Sequence, residues 1–154
     1  MASDAVTFGI YLIGAYIILQ LGFIWFIAYI LYCIFQEIRV MRFSCVHCYY
    51  YGRLCGLGRG KLAGWLFKRG NPKHFLERTI TWKDLIPDLL VALVPFLAGT
   101  YLLIRGFNWL MLALVVILFL LSSSGNGFIR GNIACKYCRQ RGLGCPAERL
   151  FSKK

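Results

Sequence analysis

The sequence is poor in charge. Only 16% of its 154 residues are Asp, Glu, Lys or Arg, where soluble domains carry roughly 25%. Acidic residues are scarcest, six in all, and 59% of the chain is hydrophobic, which excludes intrinsic disorder. The shortage is also uneven. Three stretches, 8–36, 85–104 and 107–121, contain no Lys, Arg or Glu. Apolar residues gathered in blocks exclude a single water-soluble core and point to an all-α integral membrane protein. With no Lys, Arg, His or Glu inside these runs, a proton or ion path through this chain alone has no support.

Run lengths predict three transmembrane helices with a small cysteine-rich cytosolic module. The first, 8–36, is 29 residues long with Gln20 as its one interior polar residue. At about 1.5 Å per residue it outruns a hydrocarbon core of about 30 Å, so one helix there must tilt or project. The second, 85–104, has Thr81 and Asp84 as candidate N-caps, Pro87 near its start and a kink expected at Pro95. The third, 107–124, ends in serines whose hydroxyls can bond back to helix carbonyls. Only Arg105 and Gly106 join the last two, which predicts a tight hairpin.

Basic residues orient the chain. Segment 37–84 carries ten Lys/Arg and 125–154 carries seven, leaving only Arg105 elsewhere. The positive-inside rule predicts a multi-pass protein with both basic segments cytosolic. The N-terminus, with no basic residue before the first run, is then expected outside. Trp65 and Trp82 near one face, and Tyr101 and Trp109 near the other, fit interfacial aromatic belts. The net charge of +12 is assigned to orientation and to anionic membrane lipids at the cytosolic face, not to nucleic acid.

Six of the seven cysteines form two copies of one pattern. Cys45, Cys48 and Cys55 read C-x2-C-x6-C, and so do Cys135, Cys138 and Cys145. Each copy has a glycine three residues before its last Cys (Gly52, Gly142) and a basic residue four after it (Arg59, Arg149). Cytosolic thiols stay reduced, so the repeat points to metal or redox chemistry; an inverted topology would restore disulfides. Two thiolates at C-x2-C spacing can reach one tetrahedral zinc ion at about 2.3 Å. Six thiolates suit two zinc ions sharing bridging sulfurs.

The doubled triplet resembles the binuclear zinc cluster of fungal transcription factors, and Arg139 and Arg141 give the second copy a similar basic character between its second and third Cys. What the resemblance implies is one zinc–thiolate cluster shared by Cys45, Cys48, Cys55, Cys135, Cys138 and Cys145. Here 79 residues separate the halves, where that family has a short loop, so DNA binding is not carried over. An iron–sulfur cluster is the alternative cofactor, although the C-x2-C-x2-C run of common ferredoxins is missing. His47 has Tyr137 at the matching place in the second copy and reads as a surface or supporting residue. His74 reads as an exposed loop histidine and Cys33 as a buried apolar thiol.

Other motifs carry less. The glycines of 56–61 lack the spacing and the Ser/Thr of a phosphate loop, and read instead as a turn needing positive φ. Leu62, Trp65 and Leu66 stand at helical spacing among Lys61, Lys68 and Arg69. They suit either an interfacial helix or one packed on the metal module. Asp84 and Asp88, one turn apart, could act as acid and base, but helix capping and the helix dipole account for both. The expected function is a non-enzymatic zinc module that binds a partner subunit or a further copy of the chain. The alternatives are an iron–sulfur electron-transfer subunit and, more remotely, a membrane enzyme acting on an anionic lipid or phosphorylated substrate.

Overall fold

The 8–36 run is two helices, not one. In this computed structural model, which describes residues 2–53, 55, 59–73 and 82–125, α1 spans Ala2–Leu19 and α2 spans Phe23–Phe43. Between them the amides of Gln20, Leu21 and Gly22 each bond the carbonyl three residues back, at 3.0–3.2 Å. That tightening ends α1, and Gly22 then takes φ 142°, a backbone state that favours glycine. The chain reverses there. The reason is length: an unbroken 29-residue helix would measure about 43 Å, whereas helices of 18 and 21 residues measure about 27 and 32 Å.

After α2 come a single 3₁₀ turn, Cys45–His47, and the short α3, Arg59–Leu66. Helix α4 spans Trp82–Arg105 and α5 spans Trp109–Leu120, with one wider turn over Leu121–Gly125. Asn108, and not Arg105-Gly106 alone, makes the second reversal, because its side chain caps α5 by accepting from the Leu110 amide at 3.0 Å. At the far end the hydroxyls of Ser122 and Ser123 bond back to the Phe119 carbonyl. Among the described residues every element is helical.

The expected three spans are therefore four apolar helices, running up, down, up and down. Of these, α2 and α4 are long and apolar enough to cross a membrane, while α1 and α5 are apolar but shorter. The reversal at Gly22 returns the two ends of 8–36 to the same end of the bundle. Tyr11 in α1 reaches Glu37 in α2 at 2.6 Å. The start of α1 and the end of α2 therefore lie at one end of the bundle, whereas the sequence led to an expectation of opposite sides for the N-terminus and segment 37–84.

Ile17, Ile18, Tyr29, Cys33, Val91, Val115 and Leu118 fill the core. Small residues let the helices close. A Cβ on Gly99 would stand 2.5 Å from Val115 Cγ2, and one on Gly14 would collide with the Tyr29 hydroxyl. The Gly14 gap has a consequence. Pro95, in the middle of α4, has no N–H for the Val91 carbonyl four residues earlier, and the Tyr29 hydroxyl donates to that carbonyl instead, at 2.9 Å. Outside the core the surface is apolar; Ile24, for example, is 81% exposed.

Candidate functional site

The first cysteine triplet begins where α2 stops. The Ser44 amide bonds Val40, and the Cys48 amide bonds the Cys45 carbonyl at 3.3 Å, so the C-x2-C pair brackets one turn. Two more turn bonds follow, from Tyr51 to Cys48 and from Arg53 to Tyr50. Gly52, the repeated glycine, takes φ 73°, and its amide bonds Gly60 in α3 at 2.9 Å. Among the described residues the positive φ of this loop falls at Gly52, before the last cysteine; Gly60 of the expected turn is helical, and Gly56 and Gly58 lie outside the described residues. Gly60 is needed for space instead: a Cβ there would collide with the Tyr50 carbonyl oxygen. The loop is locked further by the Tyr51 hydroxyl on the Phe67 carbonyl at 2.6 Å and by the Gly70 amide on Val46 at 3.1 Å.

Cys45, Cys48 and Cys55 are half-buried, and Cys45 lies within electrostatic reach of the other two and of Arg59. Burial pushes the Cys45 thiol up to about 12, against the nearby Arg59 guanidinium, which by itself favours the thiolate. Yet no three Cys, His, Asp or Glu side chains among the described residues converge as a cation cage. The loop supplies three sulfurs and a cationic neighbour; a tetrahedral ion needs a fourth ligand. Cys135, Cys138, Cys145, Arg149 and His74 lie outside the described residues. His47 is a packing residue: its Nδ1 donates to the Asn71 carbonyl at 3.0 Å and its ring fills the space beside Gly70. Cys33 is buried in the core, as expected.

Beside the loop, the open end of the bundle is polar. The Arg59 guanidinium pairs with Glu37 at 2.5 Å, and Glu37 also accepts from Tyr11. Burial works against the charge on Arg59, but Glu37 holds it so firmly that its pKa lies above the usual arginine value. The basic residue four places after Cys55 is thus the bolt that fixes the cysteine loop to α1 and α2. These residues border a cavity of about 330 Å³ that Thr7, Val40, Asp88 and Ser122 also line, so parts of α1, α2, α4 and the turn after α5 converge there.

Sequence reasoning missed the seam between α2 and α4. Tyr29 bonds Val91, Tyr32 bonds Pro87 at 2.8 Å, Gln36 bonds Asp88 at 2.9 Å, and Arg39 pairs with Asp84 at 3.3 Å. Gln36 is 2% exposed, so its amide depends on these partners. Spacings of three, four and three residues put 29, 32, 36 and 39 on one helix face, the signal that could have found the seam. Asp84 and Asp88 belong to it, which leaves the acid–base reading without support. Compared with known protein families, characterised proteins and solved structures, the chain matches none.

Proposed function

We propose that this chain is an integral membrane protein of four helices. Its N-terminus, cysteine loop and C-terminal segment share the cytosolic face, and its two cysteine triplets form a zinc–thiolate module there that holds a partner subunit or a further copy of the chain. One observation carries the reading: Val40, five residues before Cys45, and Ser122, thirteen before Cys135, line the same cavity. The segments that carry the two copies therefore start from the same end of the bundle, which supports a shared module. Seventeen of the eighteen basic residues lie in the two segments that start there, which makes that face cytosolic and brings the N-terminus with it. Reduced thiols on that side favour metal over disulfide. Cys45, Cys48 and Cys55, with Cys135, Cys138 and Cys145 from the second copy, would hold the metal, and structural zinc would supply cross-linking rather than reaction chemistry.

Metal analysis of the full chain purified without oxygen tests this. Zinc should be present, should fall in Cys48→Ser and Cys138→Ser alike, and should persist in Cys33→Ser. Iron with sulfide in its place would make the chain an electron-transfer subunit. If Cys48→Ser left the second triplet's metal intact, the module would be two separate sites.

A further inference from the structure

We infer that α3 is an interfacial anchor whose outer face lies in an anionic lipid leaflet, holding the cysteine loop against the membrane surface; this rests on the reading of the bundle as membrane-spanning. The helix is built inside out for water. Its inward positions are Gly60, Ala63 and Gly64, with the spacing of one helix face. They are small because the loop backbone presses on them: a Cβ on Gly64 would stand 2.7 Å from the Gly52 Cα. The large apolar side chains therefore turn away from the protein. Trp65 is 85% exposed, Leu62 53% and Leu66 52%.

A helix facing water would carry polar residues at those positions. Among the described residues nothing covers them. Leu-Trp-Leu directed outward suits the boundary between headgroups and acyl chains, where an indole keeps its ring in apolar surroundings and its N–H in polar ones. The location agrees, because Arg59 in the first turn of α3 is bolted to Glu37 near the end of α2. Charge selects the occupant. Lys61, Lys68 and Arg69 are exposed around the apolar face, and the stretch 59–73 contains no Asp or Glu. An anionic leaflet complements that rim.

The test uses the full chain in vesicles of phosphatidylcholine and phosphatidylglycerol carrying brominated acyl chains. One variant keeps only Trp65 (Trp25→Phe, Trp82→Phe, Trp109→Phe) and a control keeps only Trp109, which is exposed on α5. Trp65 should be quenched by bromines near the headgroups, shielded from aqueous acrylamide and blue-shifted. Leu62→Glu with Leu66→Glu should abolish that quenching and leave Trp109 unchanged. Converting Lys61, Lys68 and Arg69 to Gln should remove the difference between vesicles with and without phosphatidylglycerol. Trp65 quenched by acrylamide and not by lipid, with Trp109 still lipid-quenched, would overturn the anchor and give this face to water or a protein partner. Loss of lipid quenching at Trp109 as well would overturn the membrane reading beneath it.

Discussion

The two ends of the bundle are built differently. At the end of the reversals the chain turns twice, at 20–22 and 106–108, using one left-handed glycine, one asparagine cap and, at the end of α4, the single basic residue Arg105. At the other end Tyr11, Gln36, Glu37, Arg39, Arg59, Asp84 and Asp88 join four helices through side chains. The difference teaches where specificity comes from in an apolar bundle. Between greasy helices the hydrophobic effect does not choose partners, so small-residue contacts and polar bonds must. The closed end needs only local turn and cap geometry, because the chain itself holds neighbours together there. The open end, where chain neighbours diverge, needs side-chain bonds.

If that is right, damage at the open end should cost most. Arg59→Met strands the Glu37 carboxylate, whose side chain is 25% exposed. Breaking a fully buried pair costs about 3–5 kcal/mol, and with this exposure a loss of about 2 kcal/mol is expected. Thermal unfolding in detergent would measure it, and adding Glu37→Leu should restore part of the loss. Full stability in Arg59→Met alone would show that the cysteine loop is not bolted to the helices.

The middle of the bundle comes next. Gly14→Val would push the Tyr29 hydroxyl away from the Val91 carbonyl, and overpacking of this kind costs about 1–3 kcal/mol. Tyr29→Phe removes the bond without the clash and should cost about 1 kcal/mol. A Tyr29→Phe loss as large as that of Gly14→Val would mean that the bond, and not the space, is what Gly14 protects.

At the closed end Asn108→Ala deletes one cap on an exposed helix start, for about 0.5–1 kcal/mol. A loss larger than that of Arg59→Met would invert the comparison between the two ends.

Much of this was legible before the structure. The apolar runs, the hairpin near Arg105 and the serine back-bonds follow from composition and from which side chains can serve a carbonyl. The break at Gln20-Leu21-Gly22 was hidden, since one polar residue and one glycine are unremarkable within a membrane helix; the excess length of 8–36 was the sign, and a tilt explains it equally well. The role of Arg59 was half visible. Its place after Cys55 repeats at Arg149, but its partner Glu37 is 22 residues away in sequence and becomes a neighbour only when the loop folds back. The seam stayed unread because Tyr29 and Tyr32 look like ordinary apolar filling until Pro95 is seen to free a carbonyl opposite one of them.

The sidedness of the N-terminus tests the central claim most directly. With a protease site appended to the N-terminus, intact cells should protect it together with Lys61 and Lys73, and permeabilisation should expose all three at once. A second site inserted at Gly106 should be cut from outside in intact cells. Cleavage of the N-terminal site from outside, with Lys73 still protected, would mean that 8–36 crosses the membrane once, and the four-helix account would fall.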